Sequence, residues 1–126
     1  MLVVDSGGVS RLAERTKQSL ALIRSLRAAA LWPPIVPTVA LVECLQGDAR
    51  RDAKSNHLLR ACVIDSVVTD GIARRAAELR RRARRGSAVD AIVVASAEPG
   101  GTVLTGDVAD IEALAAHASD VSVEGV

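Results

Sequence analysis

Five short aliphatic runs set the frame of this sequence. They are "LVV" at 2–4, "IVP" at 35–37, "ACVIDSVV" at 61–68, "TVLT" at 102–105 and "VSV" at 121–123. Runs this short and this apolar fit strands covered on both faces, as in a parallel sheet. The intervals between them have helical character. From about Thr16 to Ala30, Leu20, Ile23, Leu26 and Ala30 recur at helical spacing until "WPP" stops the pattern. Thr38 reads as the N-cap of a helix to Leu45, with Gly47 just beyond. A polar helix over about 51–60 follows. Thr69 or Asp70 then opens a long helix with an apolar stripe of Ile72, Ala76, Leu79 and Ala83. "SAVDAIVVASA" reads as a helix buried on most sides, and Asp107 begins another that runs to about His117. Strands alternating with helices predict an α/β fold with a mainly parallel central sheet. At 126 residues the chain is expected to form one domain, 1–126.

No run reaches the roughly 18 apolar residues of a membrane helix. "MLVVDSGG" lacks the basic leader and apolar core of a signal peptide, so a cytoplasmic protein with no membrane contact is expected. Cys44 and Cys62 sit in apolar runs and read as small buried hydrophobes. Net charge is only +1, but 14 of the 16 basic residues are arginines and seven of those lie between 74 and 85. Trp32 is the only aromatic residue. A nucleic-acid partner would then be held by charge and shape, because stacking platforms are nearly missing.

The acids stand where strands end. Asp5, with Ser6 beside it, ends the first run, and Asp107 follows "TVLT". In parallel α/β sheets ligands bind beyond the carboxyl ends of the strands. Each acid also has a purely structural reading. Asp5 could cap the next helix. Asp90 fits the third position of a capping box begun by Ser87. Asp107 could cap the last helix, with Asp110 as its N3 partner. Glu43 could be an exposed helix position. Yet Val39, Ala40, Leu41, Val42, Cys44 and Leu45 surround it, which predicts a helix with little solvent face. Burying a lone carboxylate there is costly unless it is paired or bound to a cation. If Asp5, Glu43, Asp90 and Asp107 converge, an oxygen-only ligand set suits Mg²⁺ or Mn²⁺ rather than zinc. His57 is expected at the surface and His117 at the close of the last helix.

Taken in order, "VVDSGG", "VPTVALVECLQG", "DAIVVASA" and "TVLTGDVADIEAL" resemble the PIN-domain ribonucleases, in particular the VapC-type toxins of toxin–antitoxin pairs. The resemblance covers essentially the whole chain. It implies a PIN-like three-layer α/β/α sandwich. It implies that Asp5, Glu43, Asp90 and Asp107 are the catalytic, metal-binding acids, with Ser6 and Thr105 as polar supports and Asp110 as an accessory acid. The implied activity is a Mg²⁺-dependent endoribonuclease, with Mn²⁺ able to substitute, acting on structured RNA such as transfer or ribosomal RNA. The implied partners are a cognate VapB-type antitoxin and a second copy in a homodimer. One departure is the Gly7-Gly8 pair, where such proteins more often carry a small polar residue and then an aliphatic. Two glycines weaken a helix start, which predicts a looser segment after Asp5.

Other readings stay open. A haloacid-dehalogenase-type phosphatase needs Asp-x-Asp after the first strand, and position 7 is Gly. A receiver domain needs paired acids there and a late lysine, whereas the lysines are Lys17 and Lys54. A PIN fold that only binds RNA or protein also fits. In "RRAAELRRRARRG", Arg81, Arg82, Arg84 and Arg85 are either a solvated helix face or a basic ridge for an RNA backbone or an acidic antitoxin segment. The helix ending at Trp32 and the one from Thr38 to Leu45 are expected to form a groove for an amphipathic antitoxin helix. A basic residue on its tail would reach the acids.

Overall fold

The aliphatic runs do form one sheet, and every pairing in it is parallel. The computed structural model describes residues 1–126. The elements are β1 (Leu2–Val4), α1 (Ser6–Ala13), α2 (Lys17–Ala28), β2 (Ile35–Pro37), α3 (Thr38–Cys44) and α4 (Ala53–Leu59), then β3 (Val63–Asp65), α5 (Asp70–Ala83), α6 (Ala88–Ala97), β4 (Thr102–Thr105), α7 (Val108–Ala115) and β5 (Ser122–Gly125). The strand order is β3-β2-β1-β4-β5. Register is set centrally by Leu2 opposite Thr102, Val3 opposite Val103 and Val4 opposite Leu104.

Side-chain alternation on the strands divides the interior in two. Leu2, Val4, Val36 and Leu104 face α1, α2, α3 and α4, where Val9, Leu12, Leu26, Ala40 and Leu58 meet them. Val3 and Val103 face the other way, onto Ala76, Leu79, Ala91, Val94, Ile111 and Leu114 of α5, α6 and α7. Helices on both faces of a parallel sheet make a three-layer α/β/α sandwich. The stripe on α5 behaves as its spacing predicts, with Ala76 and Leu79 buried and Ile72 and Ala83 packed beside them. No helix is long and apolar enough to cross a membrane.

The structure departs from the sequence expectations in four places. The segment after Asp5 is not loose: it is the eight-residue helix α1. Gly8 sits so close to the sheet that a β-carbon there would lie 2.6 Å from Val4 Cγ1 and 2.7 Å from the Leu104 carbonyl oxygen. The glycine pair is therefore a close-packing device, and Asp5 supplies the cap that offsets its helix-weakening effect. Thr38 is the first residue of α3 rather than its cap; Pro37 holds the cap position with no side-chain bond. On α3 only Ala40 is buried, while Val42 is 82% exposed and Glu43 is exposed too. A seven-residue helix at the rim of the sheet presents one face to the core, and the opposite face stays open although its residues are apolar. Of "ACVIDSVV", only Val63–Asp65 pairs, and it forms an edge strand with Val63 about half exposed.

One ion pair ties the far side of the sandwich together. Arg75 of α5 grips Glu98, at the end of α6, through Nε and Nη2 at 2.7–3.1 Å. Glu98 also accepts the Ser119 N–H at 2.8 Å, and Arg75 donates to the His117 carbonyl. Arg75 holds the Glu98 carboxyl below its ordinary value of 4.5, against the opposing effect of burial and with help from the Ser119 N–H. A carboxylate whose pKa is lowered by folding contributes stability that is complete above its unfolded pKa and fades as pH falls through the folded one. We expect Glu98→Gln to cost about 2 kcal/mol at pH 7, the scale of a charge-assisted hydrogen bond in a half-buried setting. Urea melts across pH should show the cost shrinking below about pH 4.5, as the wild-type carboxyl protonates; a cost independent of pH would show that the ion pair is not its source.

Candidate functional site

Strand order reverses between β1 and β4. The chain fills the sheet outward from β1 through β2 to β3, then returns to the other side of β1 for β4 and β5. Such a switch point leaves a crevice beyond the strand ends, and here the crevice is acidic. A cavity of about 400 Å³ is lined by Asp5, Ser6, Gly7, Glu43, Ser87, Asp90, Gly106, Asp107 and Asp110, with no hydrophobic side chain among them. The four acids singled out from the sequence thus open onto one cavity, together with Ser6 and Asp110.

Asp5 is its floor, only 5% exposed. Its Oδ1 accepts the Gly8 N–H at 2.7 Å and, more weakly, the Gly106 N–H at 3.4 Å; its Oδ2 accepts the Thr105 hydroxyl. Thr105 is fully buried, and its oxygen in turn accepts the Asp107 N–H at 2.8 Å. So a buried hydroxyl links the acid after β1 to the acid after β4. Asp90 lies at the first turn of α6, where Oδ2 accepts the Ser87 N–H at 2.9 Å and the Ser87 hydroxyl accepts the Asp90 N–H at 3.1 Å. Asp107 caps α7 by accepting the Asp110 N–H at 3.4 Å. Glu43, from α3, makes no hydrogen bond or ion pair and stands exposed at the rim.

The capping roles and the cavity are therefore the same arrangement. Asp5, Asp90 and Asp107 satisfy amide groups at the starts of α1, α6 and α7, and all three starts open on the crevice. Free amides at a helix start favour negative charge, which helps the acids gather there. One carboxylate oxygen each from Asp90, Asp107 and Asp110 can be chosen so that all lie within 4.8 Å of one another, a spacing that could hold a metal ion. The donor set is carboxylate and hydroxyl throughout, which fits a hard cation such as Mg²⁺ or Mn²⁺.

The arginines of the run have different partners. Arg81 and Arg84 are exposed and make no ion pair. Arg82 pairs with Glu78 at 3.0 Å along its own helix. Arg85 alone reaches the cavity, through a bond from Nε to Asp110. The thiols play no part: burial pushes Cys44 up, and pushes Cys62 to about 11, leaving little thiolate.

Three lining residues, Gly7, Ser87 and Gly106, went unmarked as site residues in the sequence. Ser87 was legible only as a cap. Gly7 and Gly106 face each other so closely that a β-carbon on Gly7 would be 2.8 Å from Gly106 Cα; the signal was a glycine directly beyond each acid-bearing strand end. Asp52 is a further buried acid, away from the cavity. It accepts the N–H groups of Gln46, Gly47 and Asp48 at 2.9–3.2 Å and staples the loop after α3.

A second cavity of about 300 Å³ lies on the α1/α2/α4 face. It has an apolar floor of Leu12, Leu20, Ile23, Trp32 and Leu58, and a basic rim of Arg15, Arg24, Arg27 and Lys54. The Arg27 guanidinium lies 5.2 Å from the Trp32 ring centre. The expected partner of the Trp32 helix was α3. The wall opposite is instead α4, which contributes Lys54, His57 and Leu58, whereas no residue of α3 lines the cavity.

Compared with models of known protein families and with curated proteins, the chain matches none. The likeness to PIN-domain toxins rests on the residues themselves.

Thr105→Val would leave the Asp5 Oδ2 and the Asp107 N–H each without a partner. Unpaired buried groups cost about 1–3 kcal/mol, so the urea midpoint should fall accordingly. Gly8→Ala should cost a similar amount, about 1–3 kcal/mol, by overpacking against the sheet. A Gly8→Ala variant as stable as wild type would mean that α1 can back away from β4.

Proposed function

We propose that the protein is a metal-dependent endoribonuclease of the VapC toxin kind, cleaving structured RNA by phosphodiester hydrolysis and held in check by a VapB-type antitoxin in the cytoplasm. The observation that carries this reading is the single oxygen-lined crevice at the switch point, which gathers every acid implied by the resemblance. Asp5, Glu43, Asp90 and Asp107 would hold Mg²⁺ or Mn²⁺, which when bound supplies Lewis acidity and an activated water near neutral pH. The cavity lining contains no His, Lys or Cys to act as a base without such an ion.

The chain's own residues divide the rest of the work. Asp5 is fixed by three donors, so its position is set before any ligand arrives. Ser87 and Thr105 orient Asp90 and Asp107. Glu43 is free to move at the rim and to close on what the others hold. Arg81 and Arg84 offer unpaired positive charge for an RNA backbone.

The partners follow the same reading. The basic-rimmed groove beside Trp32 suits an amphipathic helix with acidic flanks, which we assign to the antitoxin. A homodimer would bury exposed apolar side chains at the β3 edge and on α3, namely Val42, Val63, Ile64, Val67 and Val68.

Glu43→Gln gives the cleanest test, since Glu43 is exposed and bonded to nothing. Loss of an outer-shell partner already costs about 10–100-fold at metal sites, so loss of a ligand should lower RNA cleavage at least about a hundredfold. The melting temperature should not change. Asp90→Asn should show the same loss of activity with about 1 kcal/mol less stability, from the weakened cap. Wild-type cleavage should vanish in EDTA and return with Mn²⁺. Binding of RNA without cleavage under any metal condition would instead mark a PIN fold that only binds.

A further inference from the structure

Arg85 is the only arginine of the run whose carboxylate partner lies in the acidic crevice. Its neighbours are spent elsewhere or unpaired: Arg74 on Asp70, Arg75 on Glu98, Arg82 on Glu78. The Arg85 contact also spans 25 positions, so it is not a helix-face pair. A guanidinium carries five N–H donors in a rigid plane. Asp110 takes the Nε–H, and the donors on both Nη atoms make no other hydrogen bond. The Arg85 side chain remains 57% exposed. A planar donor edge, fixed at one corner and open at the other, is the form that recognises phosphate.

The backbone is shaped to hold it there. Arg84 ends α5 at φ 52° and Gly86 has φ 89°, so the chain turns sharply on either side of Arg85. Gly86 rests on Leu114 of α7, where a β-carbon would come within 2.6 Å of Leu114 Cδ1. Leu114 lies one turn beyond Asp110 on that helix. The loop that carries the guanidinium and the carboxylate that receives it are thus docked on the same element.

We propose that Arg85 grips a phosphate of the bound RNA strand, and that Asp110, although within metal-holding reach of Asp90 and Asp107, is taken up by Arg85 and aims it rather than serving as a ligand of the metal. Arg85 and Asp110 then form a phosphate-binding subsite at the cavity edge, next to the acids at Asp90 and Asp107. The proposal rests on the nuclease reading and assigns two of its residues. Asp110 is a positioning residue. Its negative charge would by itself repel RNA, so its value lies in fixing the guanidinium.

The test uses the full chain, single-stranded oligouridylate and Mn²⁺. Oligouridylate binding is measured in EDTA over a range of salt, and Mn²⁺ binding is measured separately by titration calorimetry. Arg85→Ala should weaken oligouridylate binding about tenfold and lower the salt slope by about 1, the loss of one phosphate contact. Asp110→Asn should weaken RNA binding severalfold while leaving the salt slope and the Mn²⁺ affinity near wild type. Gly86→Ala, which alters no charge, should reproduce the Asp110→Asn result by displacing the loop. Arg74→Ala, at the far end of α5, controls for general loss of positive charge. The proposal is overturned if Asp110→Asn lowers Mn²⁺ affinity tenfold or more, or if Arg85→Ala tightens RNA binding or speeds cleavage, which would make the guanidinium a plug. Wild-type protein that binds oligouridylate but no Mn²⁺ would sink the nuclease reading, and the binding measurements in EDTA would still decide the role of Arg85.

Discussion

The Asp5 carboxylate joins the two halves of the molecule. It ends β1, caps α1 through Gly8, and accepts both the Thr105 hydroxyl and the Gly106 amide from the end of β4. The α1–α4 core and the α5–α7 core meet at the β1–β4 seam, so this one buried charge sets how the upper ends of the central strands lie. Its surroundings are arranged for it. Glycines at 7, 8 and 106 let backbone approach where any β-carbon would intrude. A buried carboxylate is tolerable only when it is hydrogen-bonded or paired, and here three donors serve it without an opposing cation from the chain.

From that seam the rest of the crevice follows. Three helices begin beside it, and each start needs an acceptor for its free amides. The sequence meets that need with aspartates at 5, 90 and 107 rather than with serine or threonine alone. A single structural requirement, met three times in one place with charged residues, concentrates negative charge that a neutral cap would not. Stability and the proposed ligand chemistry therefore share the same atoms, and a neutral substitution at Asp5 would disturb both. Glu43 differs: it carries no structural duty, and the fold has no use for its charge.

Much of this was legible in the sequence because the strands are short, apolar and well separated. Their number, their order along the chain and the parallel sheet follow from period and length alone. The long stripe on α5 and the capping box of α6 were equally readable, since both depend on residues within one or two turns. What the sequence hid depends on distant neighbours. The closeness of Gly7 to Gly106 spans the whole chain, and no local pattern reports it. The openness of α3 was misjudged because an apolar composition says how oily a helix is, not whether anything covers it. The tie between Arg85 and Asp110 joins two elements whose relative placement only the packing of Gly86 on Leu114 decides. Asp52 fell within a stretch read only as a polar helix, yet three backbone amides converge on it.

The β1–β4 seam also orders events during synthesis. The first strand is made before its central partner, which lies about a hundred residues on in the chain, and the Thr105 hydroxyl that binds Asp5 comes with that same partner. Until β4 arrives, the Asp5 carboxylate lacks two of its three donors, and neither Asp90 nor Asp107 has a counterpart to face. A chain that ends before Thr102 lacks Leu104 of the first core as well as Gly106, Asp107 and Asp110 of the crevice. Whatever chemistry the acids perform is thus withheld from fragments that stop short of β4 and α7.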